Sequence, residues 1–121
     1  MVRGKFYGNV PVVAATIASG KASKTPAMIL DTGFSGNLQI HPKLANELGL
    51  QMSGVIRTKM ADGQIVEMPI AIAMVSMEGE SHFMQVQVSD SLPLLGINVL
   101  AQFSYKAVVD CKNREITLEK V

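Results

Sequence analysis

A chain of 121 residues with 48% apolar and 17% charged side chains is long enough to bury a core and too apolar to stay disordered, so one domain over 1–121 is expected. A formal net charge of +1, scattered basic residues and 5% aromatics without tryptophan leave no footprint for nucleic acid. Cys111 is the only cysteine, which excludes an intrachain disulfide and fits a reducing, cytoplasmic compartment; no apolar run reaches membrane-spanning length.

Residues 10–18 are apolar and follow Arg3 and Lys5, as the centre of a signal peptide would. The run is short and interrupted by Pro11, and it reads well as a first strand over 11–19. Residues 20–25 form a polar turn segment. Residues 26–30 make a second strand, so the pair is a hairpin that ends at Asp31. Asp31-Thr32-Gly33 follows as a turn, and the alternation of 37–40 gives another short strand. Residues 41–50 hold the best helix pattern in the chain. Pro42 suits the first helical turn, Gly49 suits the position just past the end, and Leu44 and Leu48 share a core-facing side.

Residues 54–77 read as a long hairpin, with 55–60 leading up and 65–68 leading down. Its tip is Ala61-Asp62-Gly63-Gln64, in which Asp-Gly is a strong turn signal. Pro69 implies an edge, a bulge or a bend. A turn at 78–81 leads to an alternating strand over 82–88, and a loop at 89–91 runs into Leu92-Pro93-Leu94-Leu95-Gly96. A short helix over 98–103 precedes two strands, 107–110 and 115–118, around a turn at 111–114. Many short strands with turn signals between them indicate an all-β barrel with one or two short helices.

The chemistry concentrates at Asp31. A carboxylate at the end of an apolar strand is costly unless it is hydrogen-bonded or employed. By itself Asp-Thr-Gly is also what a polar turn looks like, with the carboxylate bonded to nearby backbone N–H groups. His41, His82 and Cys111 lack metal-ligand spacing, and nothing near Cys111 supplies a base, so no metal, cofactor or thiol nucleophile is expected.

The stretch Met28-Ile29-Leu30-Asp31-Thr32-Gly33-Phe34-Ser35 resembles the active-site loop of the retropepsin-like aspartic proteases, and Leu94-Leu95-Gly96-Ile97-Asn98-Val99-Leu100 resembles their second signature. The likeness runs from about Val10 to Leu118, and the helix at 41–50 leans it toward the cellular branch. It implies a retropepsin-like barrel and an aspartic endopeptidase with Asp31 as the catalytic residue. Thr32, Gly33 and Ser35 would support the loop, and Leu94, Leu95 and Gly96 would form the second psi-shaped turn. The tip Ala61-Asp62-Gly63-Gln64 would be a flap over an extended peptide. Hydrolysis by carboxylates needs two of them, and Asp62, Asp90 and Asp110 lie in unlike contexts. The second would therefore come from another copy in a C2 homodimer joined at the active-site loop, acting on a peptide or protein substrate. Two other readings stand beside it: a catalytically silent barrel that binds peptides or dimerises, and a small barrel for an apolar ligand.

Overall fold

The computed structural model describes residues 1–121. Twelve strands and two short helices follow in the order β1 (Val2–Tyr7), β2 (Val10–Ala14), β3 (Thr16–Ser19), β4 (Ala22–Lys24), β5 (Ala27–Asp31), β6 (Leu38–Ile40), α1 (Pro42–Glu47), β7 (Met52–Lys59), β8 (Ile65–Met77), β9 (Glu80–Val88), β10 (Leu94–Gly96), α2 (Ile97–Gln102), β11 (Tyr105–Asp110) and β12 (Glu115–Lys120). The all-β expectation holds, with both helices in place.

The hairpin that ends at Asp31 is longer and more divided than expected. β2 pairs with β5 (Val12↔Ile29) and β3 with β4 (Ile17↔Lys24) in one continuous register. The break between the two ladders falls where Ala15 faces Pro26, and proline has no N–H to donate. The expected polar turn over 20–25 shrinks to Gly20 and Lys21, because Ala22–Lys24 is already strand. β1 was not expected. Its sequence alternates, with Val2, Gly4 and Phe6 turned inward and Arg3, Lys5 and Tyr7 outward.

α1 is capped at both ends by residues its sequence supplies. His41 Nδ1 accepts from the Lys43 N–H at 3.1 Å, and Pro42 needs no partner at the first position. Gly49 takes φ +66 beyond the helix, where its N–H bonds to Asn46 C=O and that of Leu50 to Ala45 C=O, which closes a Schellman end. Leu48 is buried and Leu44 packs against the same core, as their spacing predicts.

β8 and β9 meet in a tighter turn than the expected 78–81. Met77 pairs with Glu80, and Glu78 and Gly79 carry φ of 51° and 80°, the signature of a two-residue type I′ turn. Pro69 sits where β8 has β7 as its only neighbour, since β9 joins from Ile70 onward. That is the edge position its missing N–H calls for.

The strands form one sheet in the order β11-β12-β1-β2-β5-β10-β6-β9-β8-β3-β4, with β7 on β8. The outermost strands do not pair with each other, so the sheet is not closed. It still wraps round its core, because the path that leaves β2 returns to β3, the continuation of the same ribbon. Phe103, Ile17, Met28, Leu38, Leu95 and Ile116 are fully buried inside it. Each contributes about 1.5–3 kcal/mol through apolar burial.

Candidate active site

β5 delivers Asp31 from the core to the surface. Met28 and Leu30 are buried while Ile29 is half-buried, so the strand is anchored through alternate residues. Asp31 is its last residue and is half-buried. The Gly33 N–H donates to Asp31 Oδ1 at 3.0 Å, and the Phe34 N–H donates to Asp31 C=O at 3.1 Å. A Cβ on Gly33 would stand 3.3 Å from that carboxylate oxygen, so glycine leaves the carboxylate face clear.

β10 inserts between β5 and β6. It runs parallel to β5, with Gly96 beside Asp31, and antiparallel to β6. The Gly96 N–H donates to Asn37 C=O at 2.7 Å and the Ile97 N–H to Phe34 C=O at 3.0 Å. The approach is so close that a Cβ on Gly96 would lie 2.2 Å from Gly36 O and 2.7 Å from Phe34 O. Only glycine fits there. Asp31, Thr32, Gly33 and Ser35 thus share one place with Leu94, Leu95 and Gly96. The Thr32 and Ser35 side chains are exposed.

Several residues that brace this loop were not singled out from sequence. Asn37 Nδ2 donates to Gln85 C=O at 2.9 Å, and Asn37 Oδ1 accepts from Asn98 Nδ2 at 2.6 Å and from Gln102 Nε2 at 3.0 Å. Asn37 therefore ties the loop to β9 and to α2. Gln39 is the one buried polar side chain. Its Nε2 donates to Leu92 C=O and its Oε1 accepts from Gln87 Nε2, both at 2.9 Å. The signal was an amide between two apolar residues of a short strand, which must find partners when buried.

The hairpin tip is well formed and separate. The Gly63 N–H donates to Met60 C=O, the Met60 N–H to Gln64 C=O, and the Gln64 N–H to Asp62 Oδ1. With Gly63 at φ +88 this is a type I turn closed by a glycine bulge, wider than a two-residue Asp-Gly turn. Ala61, Asp62, Gly63 and Gln64 are all exposed, and no hydrogen bond joins them to the Asp31 loop.

No other carboxylate comes to Asp31. Asp62 closes its own turn, Asp90 is almost fully exposed beside His41, and Asp110 accepts from Asn113. Those Asn113 bonds, backbone N–H first, hold the Asp110 carboxyl below its ordinary range. Glu80 is likewise lowered, first by its hydrogen bond with His82 and then by Lys120, and both lie far from the loop in sequence and partnering. A cleft of about 530 Å³ lies elsewhere, between α1 and β8, lined by Pro42, Leu50, Met52, Met68 and Pro69 among others. One chain thus offers a single carboxylate on an open surface.

No protein-family model matches the sequence, and no curated protein matches it. Solved structures do. EIAV protease complexed with the inhibitor HBY-793 aligns with a TM-score of 0.63 at 19% identity, covering 85% of this chain and 98% of that one. A retropepsin-like aspartic protease from Rickettsia conorii aligns with a TM-score of 0.65 at 16% identity, covering 99% of this chain and 89% of that one. No helix is long and apolar enough to cross a membrane. With β10 threaded between β5 and β6 and the Asp31 loop folded over Gly96, the chain has the fold of the retropepsin-like aspartic proteases.

Proposed function

We propose that this chain is a homodimeric aspartic endopeptidase that hydrolyses extended polypeptides with paired Asp31 carboxylates. One observation carries the reading: a half-buried carboxylate, oriented by the Gly33 N–H, stands alone at the end of β5 with no second acid in the chain to complete it. A two-fold axis beside the loop brings Asp31 against Asp31 of the partner subunit. Two carboxylates about 3 Å apart do not both ionise, so the pair holds one proton. The ionised member takes a proton from a water, whose oxygen forms a bond to the scissile carbonyl carbon. The protonated member gives its proton to the carbonyl oxygen. The resulting tetrahedral diol collapses as its C–N bond breaks: the amide nitrogen takes the proton that the first carboxylate had removed from water, a diol hydroxyl returns a proton to the second, and a carboxylic acid and an amine are released. No metal or cofactor enters these steps.

Gly33 keeps the backbone low beside the water. The exposed Thr32 and Ser35 hydroxyls are free to bond across the axis and to the carboxylate network. Leu94, Leu95 and Gly96 hold the loop from below, and the 61–64 tip closes over a peptide lying in extended form. The absence of a disulfide suits a reducing, cytoplasmic setting.

Mixing subunits tests the reading. Wild type and Asp31→Asn are unfolded together in equal amounts and refolded, and cleavage of unfolded casein is followed. Random pairing leaves about one quarter of the dimers with two Asp31 residues, so activity falls to about a quarter of an all-wild-type sample. A chain that works alone would keep about half. Asp31→Asn by itself folds normally and cleaves nothing; full activity in that variant would sink the Asp31 mechanism, and a folded wild type that cleaves nothing would favour a silent peptide-binding module.

A further inference from the structure

Gln39 and Gln87 form an amide relay whose far end is a thioether. Gln39 Nε2 donates to Leu92 C=O and Gln87 Nε2 donates to Gln39 Oε1. The same Gln87 nitrogen also donates to Met68 Sδ, at 3.3 Å. An amide nitrogen has two hydrogens to give, so both are spent. Met68 is thereby joined to the segment that leads into β10. It sits where β8 parts from β9. Ile70 and Gln87 are the last pair between those strands, and from Ile65 to Pro69 β8 has only β7 beside it. The hairpin thus leaves the body of the sheet at Met68, and the thioether is hydrogen-bonded back across the point of departure. Met68 is half-buried and lines the cleft of about 530 Å³ together with Leu50 and Met52, so its sulfur lies at the wall of an open space. Met28, Met77 and Met84, by contrast, are buried in the core.

We infer that Met68 is a modification site at the base of the hairpin, where hydrogen peroxide converts the thioether to the sulfoxide and loosens the hairpin from the sheet. A sulfur lone pair forms a bond to one peroxide oxygen as the O–O bond breaks. The hydroxide released takes the proton from the new S–OH group, which leaves water and the sulfoxide. Sulfur is oxidised by two electrons and the peroxide is reduced by two. The product is polar, and its oxygen replaces a weak sulfur acceptor. At 3.3 Å no oxygen fits between Sδ and Gln87 Nε2, so either the sulfur retreats or the Gln87 N–H loses its acceptor. The cleft has room for the retreat. Both routes break the bond that ties β8 to β9 where their ladder ends, while Gln39 keeps its bond to Leu92. The switch lies in the hairpin and not in the chemistry of Asp31, so it stands whether or not the chain cleaves peptides.

The test uses the full chain and dilute hydrogen peroxide. Peptide masses locate the oxidised methionines, and backbone hydrogen exchange is measured with and without treatment. Exchange at residues 65–68 should quicken about three- to tenfold, as the loss of one hydrogen bond holding a local opening closed implies. Methionine sulfoxide reductases for both sulfoxide epimers should restore it. Met68→Leu keeps the volume and removes the sulfur, so its exchange should not respond to peroxide. Met52 and Met60 are 46% and 43% exposed and will also be oxidised, so a protein with Met52→Leu and Met60→Leu should respond as wild type does. That variant decides if Met68→Leu does not fold. Met68 left unoxidised at a dose that converts Met52 and Met60 would overturn the inference. So would Met68 sulfoxide with exchange at 65–68 unchanged or slower, a Met68→Leu protein that responds as wild type does, or a response lost with Met52 and Met60. Exchange left raised after the reductases have acted would overturn the switch as well.

Discussion

Gly96→Ala tests whether the close stacking of β10 under the Asp31 loop is what holds the site. The added Cβ would lie 2.2 Å from Gly36 O, against an ordinary carbon contact of about 3.5 Å, so the loop must retreat by roughly 1 Å. That retreat strains or breaks the hydrogen bonds from Gly96 N–H to Asn37 C=O and from Ile97 N–H to Phe34 C=O. Two lost bonds cost about 1–3 kcal/mol together, and overpacking adds about 1–3. The total is about 2–6 kcal/mol. At about 2.1 cal/mol/K per residue, unfolding has an entropy near 0.25 kcal/mol/K, so Tm should drop by about 8–24 °C. Gly33→Ala is the contrast. Its Cβ would meet only Asp31 Oδ1, at 3.3 Å, so Tm should move by no more than about 4 °C, roughly 1 kcal/mol, while casein cleavage falls sharply. Differential scanning calorimetry with a cleavage assay reads both. A Gly96→Ala protein that melts within about 2 °C of wild type, well under 1 kcal/mol, and cleaves normally would refute the view that this contact sets the loop.

The pH profile of kcat/KM should be bell-shaped, both limbs belonging to the coupled carboxylate pair; a rate still rising above about pH 8 would point to a different base. Acid should also weaken the fold. Glu80 and Asp110 are held below their ordinary values of 4.5 and 3.8, so their contribution is present above those values and is lost as pH falls through the lower folded ones. Glu80→Gln with Asp110→Asn should flatten the fall of Tm on the acid side, and an acid limb identical to wild type would show the pairs idle. Backbone hydrogen exchange at residues 58–68 should slow when a statine-type inhibitor binds; unchanged exchange there would mean that the hairpin does not close over substrate.

What could be read from the sequence was what is decided locally. The Asp62-Gly63 tip, the proline and glycine that bound α1, and the alternation of β9 each depend on a few neighbouring residues. β1 escaped because its partners are remote: Val2 pairs with Leu118, and Gly4 packs where a Cβ would strike Val12 O. Its short alternating pattern gains meaning only once β12 lies beside it. The turn at Glu78-Gly79 looked four residues long because glutamate rarely takes φ 51. In the fold its carboxylate accepts from Tyr105 Oη at 2.6 Å, a contact 27 residues away that no local rule contains. The Asn37 bonds to Gln85, Asn98 and Gln102 escaped for the same reason.

The same division between local and remote explains why Asp31 could be singled out while the second carboxylate of the proposed pair could not. A strand end, a glycine turn and a close backbone approach are properties of one chain, and they orient one carboxylate. A shared proton is a property of two carboxylates held about 3 Å apart, and no turn or strand in this chain brings a second one there. The 530 Å³ cleft under α1 is the wrong shape of evidence for such a site, since it belongs to one chain and contains no part of the Asp31 loop. In the proposed dimer the surface would become a cleft only on association, and it must be rigid beforehand for the two halves to meet in register. Here that rigidity has an identifiable source. Asn37 locks the loop to β9 and to α2, Gln39 locks β6 to the segment before β10, and neither amide is left with an unmatched buried atom. Fully satisfied amides in such positions hold a single geometry, because each alternative leaves a buried polar group without a partner.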